Sequence, residues 1–528
     1  MKTLRCFVEN RWHEADSDFA PLVDPCSEEQ IARASSRGVD FAAAVDHARE
    51  EGRTALGELD IGQRGALLIE MARVLQERRD ELIELSLQNM GATRKDAKFD
   101  IDGGAFTLAH YGELGRSIGE RRMFVDGEGV RLGRSARFWG QHVLLPLRGV
   151  AVHVNAFNFP VWGFAEKAAC ALLAGVPVIT KPATSSALVA EQAVSAVIDA
   201  GILPEGALSL ICGSTGDLLD RLGPQDVLSF TGSASTALSL RGKTNLLESS
   251  TRVNIEADSL NAAVLGPDAA PGDETWAVFV SEVFREMTQK SGQKCTAVRR
   301  ILVPTERASD FREELCERLA AVVVGNPTER AVQMGPLATA AQLDDAISGV
   351  AKLREEAEFV HGQGERIDGE GNPTGKGFFF GPTLLSASDP SSASAVHEHE
   401  VFGPVATILE YDGSAEVAAE LVARGGGSLV TSVYSDDREF LASYIERGGS
   451  TSGRLYIGSE KVASQLPGSG LALPQVLHGG PGRAGGGEEL GDLRGVSLYL
   501  QRVALTGDRG MVERLAGSRP ERGGDKRA

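Results

Sequence analysis

The stretch from Gly149 to Ala183 reads GVAVHVNAFNFPVWGFAEKAACALLAGVPVITKPA. It begins with the apolar run GVAVHVN and closes on VPVIT, and both runs have the length and the β-branched content of buried strands. Residues 161–173 between them have the length and composition of a helix. A strand, a helix and a second strand in this order build a parallel sheet covered by helices, so the stretch predicts an α/β fold.

The same alternation continues on both sides of this unit. Downstream, residues 187–200 are helical in pattern, and the runs ALSLIC and VLSF have the pattern of strands. A second alternation extends from Thr275 to about Val433, with ILVP, AVVVG and ATILE as candidate strands. Upstream, residues 41–90 carry apolar side chains at helical spacing. The sequence therefore predicts two α/β regions preceded by helices.

Length and composition exclude several classes of protein. A chain of 528 residues is too long for one simple core and predicts two or three domains. Its 54 basic and 73 acidic residues give a net charge of −19, which disfavours nucleic acid or an anionic membrane as a partner. The N-terminus has no apolar signal region, and the longest apolar stretch, about residues 168–179, is broken by Gly175 and Pro177, so no membrane span is expected.

The six cysteines indicate the redox environment. They lie far apart and form no C-x-x-C pair, which argues against a disulfide framework and against a metal site. A reducing cytoplasm is the expected location, and no bound metal is expected.

Two segments have the pattern of exposed strands. Residues 129–148 alternate polar and apolar side chains as a hairpin does, and residues 495–505 form a similar lone strand. Because strand edges usually find partners, both segments are expected to pair across a subunit boundary in a homodimer or a dimer of dimers. Residues 478–491, HGGPGRAGGGEELG, are so rich in glycine that the backbone must turn sharply or approach something closely. Residues 509–528 are expected to form a loose polar tail.

Three further segments carry candidate chemistry. Cys295 lies in SGQKCTAVRR, where Lys294 and small polar neighbours favour an exposed electropositive turn and a reactive thiol over an inert buried cysteine. Glu256 lies in RVNIEADSLN, either as a solvated turn residue or as an acid facing the crevice at the end of a parallel strand. FTGSAS, residues 230–235, opens a helix after a strand and is either a phosphate-binding turn or a plain cap.

Taken together and in this order, these segments resemble the aldehyde dehydrogenase superfamily over roughly residues 5 to 508. The matching motifs are NAFNFP (155–160), TKPA (180–183), FTGSA, the Glu256 segment, GQKCT, GNP (325–327), MGPL (334–337), EHEVFGPV (398–405) and the closing GG…EELG. The resemblance implies a Rossmann-like cofactor domain of residues 1–128 and 149–258 and a catalytic domain of residues 259–480. It also implies a small β oligomerisation element of residues 129–148 and 481–508.

The resemblance implies catalytic roles at matching positions. Cys295 is expected to attack the aldehyde carbon, and the Asn158 side chain, with the backbone N–H of Cys295, to stabilise the oxyanion. Glu256 is expected to activate the water that hydrolyses the thioester. Lys167 and Glu489 are expected either to relay the proton of Glu256 or only to brace it as a buried ion pair.

The resemblance also implies a nicotinamide cofactor. Gly232 and Ser233 would contact the pyrophosphate, although Ala237 replaces a glycine that is usual in the turn at the start of this helix. Glu400 would bind the nicotinamide ribose, and Phe402 and Phe157 would lie near the nicotinamide ring. Lys181 would reach the adenosine ribose. NAD-preferring relatives often carry glutamate where this chain has Thr184, so NADP is the expected cofactor, with NAD the alternative.

A closer resemblance concerns the substrate. VNAFNFP, SLICGS, EADSLN, EMTQKSGQKCTA and LPQVLHGGPGRAGGGEELG resemble a subgroup acting on semialdehydes of aerobic benzoyl-CoA and phenylacetyl-CoA catabolism. The phenylacetyl-CoA enzymes usually carry an additional hydratase domain, so the benzoate-pathway substrate, 3,4-dehydroadipyl-CoA semialdehyde, is expected. A CoA-acylating dehydrogenase is an alternative against which Glu256 argues. A binding or structural protein without turnover is another, against which Cys295 and Asn158 argue.

Overall fold

Two large sheets organise the chain, whose computed structural model describes residues 1–465 and 468–517. The first has seven strands, parallel except for the last two. In spatial order they are Arg252–Glu256, Val227–Thr231, Ala151–Val154, Val178–Lys181, Leu208–Leu210, Cys6–Val8 and Arg11–His13. The helices of this half of the chain are Phe41–His47, Arg53–Glu58, Ile61–Glu77, Arg79–Met90, Arg94–Ile118, Trp162–Ala174, Ala187–Asp199, Ala234–Arg241 and Thr244–Glu248.

The second sheet also has seven strands, and only its first pair is antiparallel. In spatial order they are Ala357–His361, Thr383–Ala387, Val405–Tyr411, Arg300–Pro304, Ala262–Leu265, Ser428–Tyr434 and Ser452–Gly458. Its helices are Glu274–Thr288, Ala308–Ala320, Ala340–Leu353, Ala395–Glu398, Ala415–Ala423 and Arg438–Gly448. The predicted α/β architecture with two strand-and-helix regions is therefore confirmed.

Three small sheets complete the fold. Lys2–Thr3, Gln30–Ala34 and Ala20–Val23 form one, and Leu477–Gly479 pairs with Glu488–Leu490 in another. The third joins Leu500–Asp508, Phe138–Pro146 and Phe124–Arg131, and the short helices Leu493–Ser497 and Arg509–Leu515 flank its C-terminal strand. Among the residues that the structure describes, no helix has both the length and the apolar character needed to span a bilayer.

The helix Trp162–Ala174 is the central support of the first sheet. All of its residues except Gly163 and Glu166 are buried. Its first turn is capped from the neighbouring helix by the Asp100 carboxylate, which accepts the backbone N–H groups of Val161 at 3.2 Å and Trp162 at 2.8 Å. This cap fixes where the segment containing Asn158 enters the helix that carries Lys167.

The two large sheets meet end to end at one crevice. Phe230 pairs with Val154 and Thr231 with Glu256, so the carboxyl ends of three parallel strands of the first sheet lie side by side. Cys295 precedes the strand Arg300–Pro304 of the second sheet, at the amino end of that strand. Residues from both ends line a single cavity, as expected where the ligand-binding crevice of an open α/β sheet lies.

The prediction that AVVVG forms a strand is wrong. Residues 322–325 form isolated bridges, Val324 with Met334 and Gly325 with Glu370, instead of a strand of either sheet. Val324 packs in a small cluster with Cys26, Met334 and Phe379, so its apolar side chain is buried locally without joining a strand ladder.

The two exposed-strand segments pair with each other within one chain. The strand Leu500–Asp508 runs antiparallel to Phe138–Pro146 over its whole length, from Leu500 opposite Pro146 to Asp508 opposite Phe138. The expectation that these two strands find their partner in another subunit is therefore wrong for this pairing. Each strand uses the other, in the same chain, to complete the hydrogen bonds along their shared edge. Residues 493–497 are helical, so the C-terminal strand begins later than predicted.

The predicted polar tail begins with ordered structure. Asp508 caps the helix Arg509–Leu515 by accepting the backbone N–H of Met511 at 3.1 Å, so the start of this segment is not loose. Residues 518–528 of the predicted tail lie outside the described residues.

Candidate active site

Cys295 lies where two cavities meet. The wider one, about 550 Å³, follows the crevice between the sheets. The narrower one, about 40 Å³, enters between aromatic side chains. The residues common to both walls are Asn155, Ala156, Asn158, Thr231, Glu256 and Cys295. The three side chains predicted to act on the aldehyde thus lie together at the junction.

The loop that carries Cys295 is held by side-chain hydrogen bonds to its backbone. The Asn261 amide donates to the carbonyl oxygens of Cys295 at 2.7 Å and Ala297 at 2.9 Å. The Arg299 guanidinium donates to the carbonyl oxygens of Gly292 at 3.0 Å and Gly403 at 2.7 Å. These bonds fix the backbone on both sides of Cys295 and therefore the position of its sulfur atom.

The environment of Cys295 differs from the exposed electropositive turn predicted. Lys294 is fully buried, and its ammonium group donates to Glu286 and Gln289, each at 2.8 Å. Its charge is therefore balanced by the Glu286 carboxylate on the other side of the loop. Burial raises the pKa of the Cys295 thiol well above its usual value, and the neighbouring Glu256 carboxylate raises it further. The thiol needs a proton acceptor close by.

Glu256 ends the strand Arg252–Glu256 and points into the junction. The Thr231 hydroxyl donates to its carboxylate at 3.4 Å, and the imidazole of His478 lies 3.4 Å from its Oε1. Burial favours the neutral acid, but attraction to His478 and then to Lys167 outweighs it and lowers the pKa of Glu256 to about 2. The carboxylate is therefore ionised throughout the neutral range, as a base for water must be.

A buried ion-pair cluster lies beside Glu256. The Lys167 ammonium is 3.1 Å from Glu489 and 3.0 Å from Glu166. Glu489 also accepts the Ser229 hydroxyl and the Asn254 amide, both at 3.1 Å. The structure thus brings Lys167 and Glu489 together as the sequence resemblance implied.

Glu166 belongs to this cluster and was missed by the sequence analysis. Burial raises the pKa of Glu166 to about 7, although Lys167 acts in the opposite direction. Acceptor oxygens of Glu166, Glu256 and Glu489 all lie within 4.8 Å of one another, so the charge of each carboxylate acts on the other two. The available signal was an acid directly before Lys167 in the otherwise apolar helix WGFAEKAACALLA.

His478 is the second residue that the sequence analysis missed. Its Nε2 atom lies 3.8 Å from the sulfur of Cys295 and 3.4 Å from Oε1 of Glu256, and the side chain is buried. It stands in the strand Leu477–Gly479, at the start of the glycine-rich segment 478–491. A histidine leading a segment of that composition was the available signal.

The glycines of this segment allow the close approach that their density predicted. A Cβ atom at Gly485 or at Gly487 would overlap the carbonyl oxygen of Ile255, next to Glu256. The segment lies directly against the strand Arg252–Glu256, and the pairing of His478 with Glu489 follows from it. This contact places the imidazole of His478 and the carboxylate of Glu489 close to Glu256.

The wide cavity collects most of the residues predicted to bind a cofactor. Its walls include Lys181, Gly232, Ser233, Glu400, Phe402 and Phe157. Thr184 lies beyond Ala183, in the short turn Thr184–Ser186, and is partly exposed.

The donor set of this cavity fits a dinucleotide. Ser233 caps the helix Ala234–Arg241, where its hydroxyl accepts the backbone N–H of Thr236 at 3.4 Å and the Asp258 carboxylate accepts that of Ala234 at 3.0 Å. Phosphate oxygens can bind at a helix start of this kind. Glu400 accepts the backbone N–H of Ser259 at 3.0 Å and lies 3.4 Å from Arg299. Burial raises the pKa of Glu400 to about 7 against the attraction of Arg299. The rings of Phe157 and Phe402 stand edge to face, 5.9 Å apart, on the side of the catalytic junction.

Comparison with known proteins agrees with this geometry. A sequence model described as the aldehyde dehydrogenase family matches residues 12–499. The 3,4-dehydroadipyl-CoA semialdehyde dehydrogenase of Aromatoleum evansii is 45% identical over 475 residues, which are 90% of this chain and 92% of that protein.

Solved structures give the same fold. A 3,6-anhydro-L-galactose dehydrogenase in complex with NAP superposes with a TM-score of 0.83 at 23% identity, covering 96% of this chain and 100% of the other. Betaine aldehyde dehydrogenase of Staphylococcus aureus in complex with NAD+ has a TM-score of 0.82 at 22% identity, covering 96% and 98%.

The ion-pair cluster generates a stability prediction. Replacing Lys167 with Met leaves buried carboxylates without a cation and should lower the free energy of unfolding by about 3–5 kcal/mol. The double change Lys167→Met with Glu489→Gln should recover part of this loss, because one carboxylate is removed with its counterion. Urea unfolding midpoints of both variants and of each single variant give the comparison. Strictly additive losses would show that the pair is not coupled in the way its geometry implies. Lys243→Met, at a partly exposed pair with Asp220, serves as the control.

Proposed function

The chain belongs to the aldehyde dehydrogenase family, an oxidoreductase family that uses NAD(P), and on that premise we propose that it oxidises a CoA-linked semialdehyde to the free acid with NADP. The substrate that we propose is 3,4-dehydroadipyl-CoA semialdehyde. The name of the relative that is 45% identical over 90% of the chain supports this choice.

The narrow cavity supports a slender aldehyde. Its wall carries Phe99, Phe159 and Trp162, whose rings pack edge to face at centroid distances of 5.3 to 5.9 Å. These aromatic walls favour an apolar, unsaturated chain next to the aldehyde group. Such a chain has its aldehyde at one end and its thioester at the other, so the bulky CoA group stays outside the narrow part.

The position of Cys295 at the junction of the two cavities carries the proposal. An aldehyde arriving through the narrow cavity and a cofactor in the wide one would meet at this sulfur. The thiolate attacks the carbonyl carbon, and the Asn158 amide with the backbone N–H of Cys295 stabilises the resulting oxyanion. When bound, the nicotinamide supplies the hydride acceptor that turns the adduct into a thioester.

Hydrolysis of that thioester is the proposed role of Glu256. Its carboxylate, ionised at neutral pH, takes a proton from the attacking water, and the Cys295 sulfur leaves as the acid forms. Lys167 and Glu489, with Glu166 beside them, would then carry the proton away. This division favours a hydrolytic enzyme over a CoA-acylating one.

We further propose NADP over NAD. Lys181 lines the wide cavity and can pair with a 2′-phosphate, and Thr184, three residues further along the chain, carries no charge that would repel one. Gly232 and Ser233 would bind the pyrophosphate, Glu400 the nicotinamide ribose, and Phe402 and Phe157 would pack near the ring.

The domain division and the assembly also remain proposals. Residues 1–128 with 149–258, residues 259–480, and residues 129–148 with 481–508 would be the cofactor, catalytic and oligomerisation parts. The three-stranded sheet exposes the apolar side chains of Val130, Leu132 and Phe138, which supports contact with another subunit.

The first prediction from the proposed function concerns hydrolysis of the thioester. In Glu256→Gln, mixing enzyme, semialdehyde and NADP should give a burst of reduced cofactor stoichiometric with active sites, followed by slow turnover, because acylation does not require the water base. Stopped-flow absorbance at 340 nm measures the burst. In the native enzyme, free CoA should leave the steady rate unchanged and the product should be an acid. A new thioester formed at a CoA-dependent rate would contradict the proposal.

The second prediction concerns cofactor choice. The native enzyme should have a higher kcat/KM for NADP than for NAD, and Thr184→Glu should reverse the order by placing a carboxylate against the 2′-phosphate. Steady-state kinetics with both cofactors measure this. Thr184→Gln is the matched control, since it adds the same bulk without charge and should keep the preference for NADP. Equal efficiency with both cofactors in the native enzyme would remove Lys181 from phosphate recognition.

The third prediction concerns assembly. Light scattering should give a species of two or four times the chain mass of 55.9 kDa. Phe138→Lys, which charges the exposed face of the three-stranded sheet, should shift this species toward the monomer. Leu247→Lys, at an exposed leucine on a short helix elsewhere, should not. A native monomer at micromolar concentration would refute the assembly.

A further inference from the structure

One buried imidazole touches both reacting groups of the site and has no role in the mechanism above. Nε2 of His478 lies 3.8 Å from the Cys295 sulfur and 3.4 Å from Oε1 of Glu256. A single nitrogen therefore faces a thiol that must lose a proton and a carboxylate that must stay free of one. Nε2 can form a hydrogen bond with the thiol or with the carboxylate, but not with both at once.

We propose that His478 is the catalytic base that takes the proton of the Cys295 thiol, which leaves Glu256 free to activate water in the second half of the reaction. The proposal rests on the proposed function in that both half-reactions pass through Cys295. It assigns the two proton transfers to two different residues.

The thiol proton moves to Nε2 of His478 as the sulfur attacks the aldehyde. Neutral His478 carries its hydrogen on Nδ1, so that Nε2 holds a lone pair toward the thiol. The S–H bond breaks as an N–H bond forms on Nε2, and the electron pair left on sulfur forms the bond to the aldehyde carbon. The carbonyl π pair moves to the oxygen that Asn158 stabilises. The proton then sits on Nε2 beside the Glu256 carboxylate, which stabilises the imidazolium without accepting the proton.

The charges around the imidazole favour this transfer. Glu256 and Glu166 attract the positive form of His478, whereas Arg454 on the strand Ser452–Gly458 and burial oppose it. Although burial is the largest single effect and lowers the pKa of His478, the attraction of the carboxylates outweighs it, and the net shift is upward. A stronger imidazole base is matched to a thiol whose own pKa burial has raised.

Glu256 alone is poorly suited to the same task. Attraction to Lys167, which persists when His478 is neutral, lowers the pKa of Glu256, so its carboxylate is a weak base toward a thiol whose pKa is raised. Water attack on a thioester differs, because the carboxylate then takes a proton from water that becomes acidic only as it attacks.

Alkylation of Cys295 by iodoacetamide tests the proposal without aldehyde or cofactor. In the native enzyme the rate should rise with pH through the raised pKa of His478 and then level off, since the neutral imidazole is the acting base. In His478→Gln, which keeps a polar side chain of similar size but cannot take a proton, the rate near neutral pH should fall by about a hundredfold. It should recover at high pH, where the thiol ionises unaided.

Two further variants separate this role from a structural one. In His478→Ala, added imidazole should restore both alkylation and the rate at which the cofactor is reduced, which a merely structural loss would not allow. His361→Gln, at a partly exposed histidine of the strand Ala357–His361, should behave as the native enzyme.

The result that overturns the proposal is the reverse pattern. If His478→Gln keeps the native alkylation profile while Glu256→Gln loses it, Glu256 is the thiol base. Failure of the proposed substrate would look different, because alkylation would follow the expected profiles while no aldehyde of the tested kind gave reduced cofactor.

Discussion

Burial of several negative charges in one place is the constraint on which the site depends. Glu166, Glu256 and Glu489 have acceptor oxygens within 4.8 Å of one another, away from bulk water. Like charges at this separation cannot all stay ionised unless cations or protons balance them. Lys167 balances one side of the cluster, and His478 on the other side adds a second positive charge when its imidazole is protonated. The ionised state of Glu256, and with it the proposed ability to activate water, follows from these two contacts.

The same constraint explains features of the chain that lie outside the catalytic motifs. Lys167 reaches the cluster because Asp100 caps the start of its helix, and His478 reaches it because glycines let segment 478–491 lie against the carbonyl oxygen of Ile255. Neither Asp100 nor these glycines take part in the reaction. A substitution of one of them would alter the chemistry indirectly, by moving Lys167 or His478.

Sequence patterns identified the parts of this protein that depend on local order. The strand-helix-strand unit of residues 149–183 and the ends of its strands follow from the apolar pattern, and the residues around Cys295 and Glu256 stand in motifs that follow one another along the chain. His478 could not be found in this way, because it is separated from Cys295 by 183 residues and only packing brings them together. The expectation for Lys294 failed because it also depended on packing. Its sequence position indicated a charge beside the thiol, but its ammonium group donates to Glu286. AVVVG failed as a strand because its apolar content serves a local cluster.

In the proposed mechanism the aldehyde carbon becomes covalently bound to Cys295 and is released by water that Glu256 activates. The most direct measurement is mass spectrometry of Glu256→Gln quenched after one turnover with the semialdehyde and NADP, followed by proteolysis. We expect the peptide that contains Cys295 to gain the mass of the acyl group. Hydroxylamine should remove this group, because it is held as a thioester. An unmodified Cys295 peptide after stoichiometric formation of reduced cofactor, or the acyl group on a different residue, would contradict it.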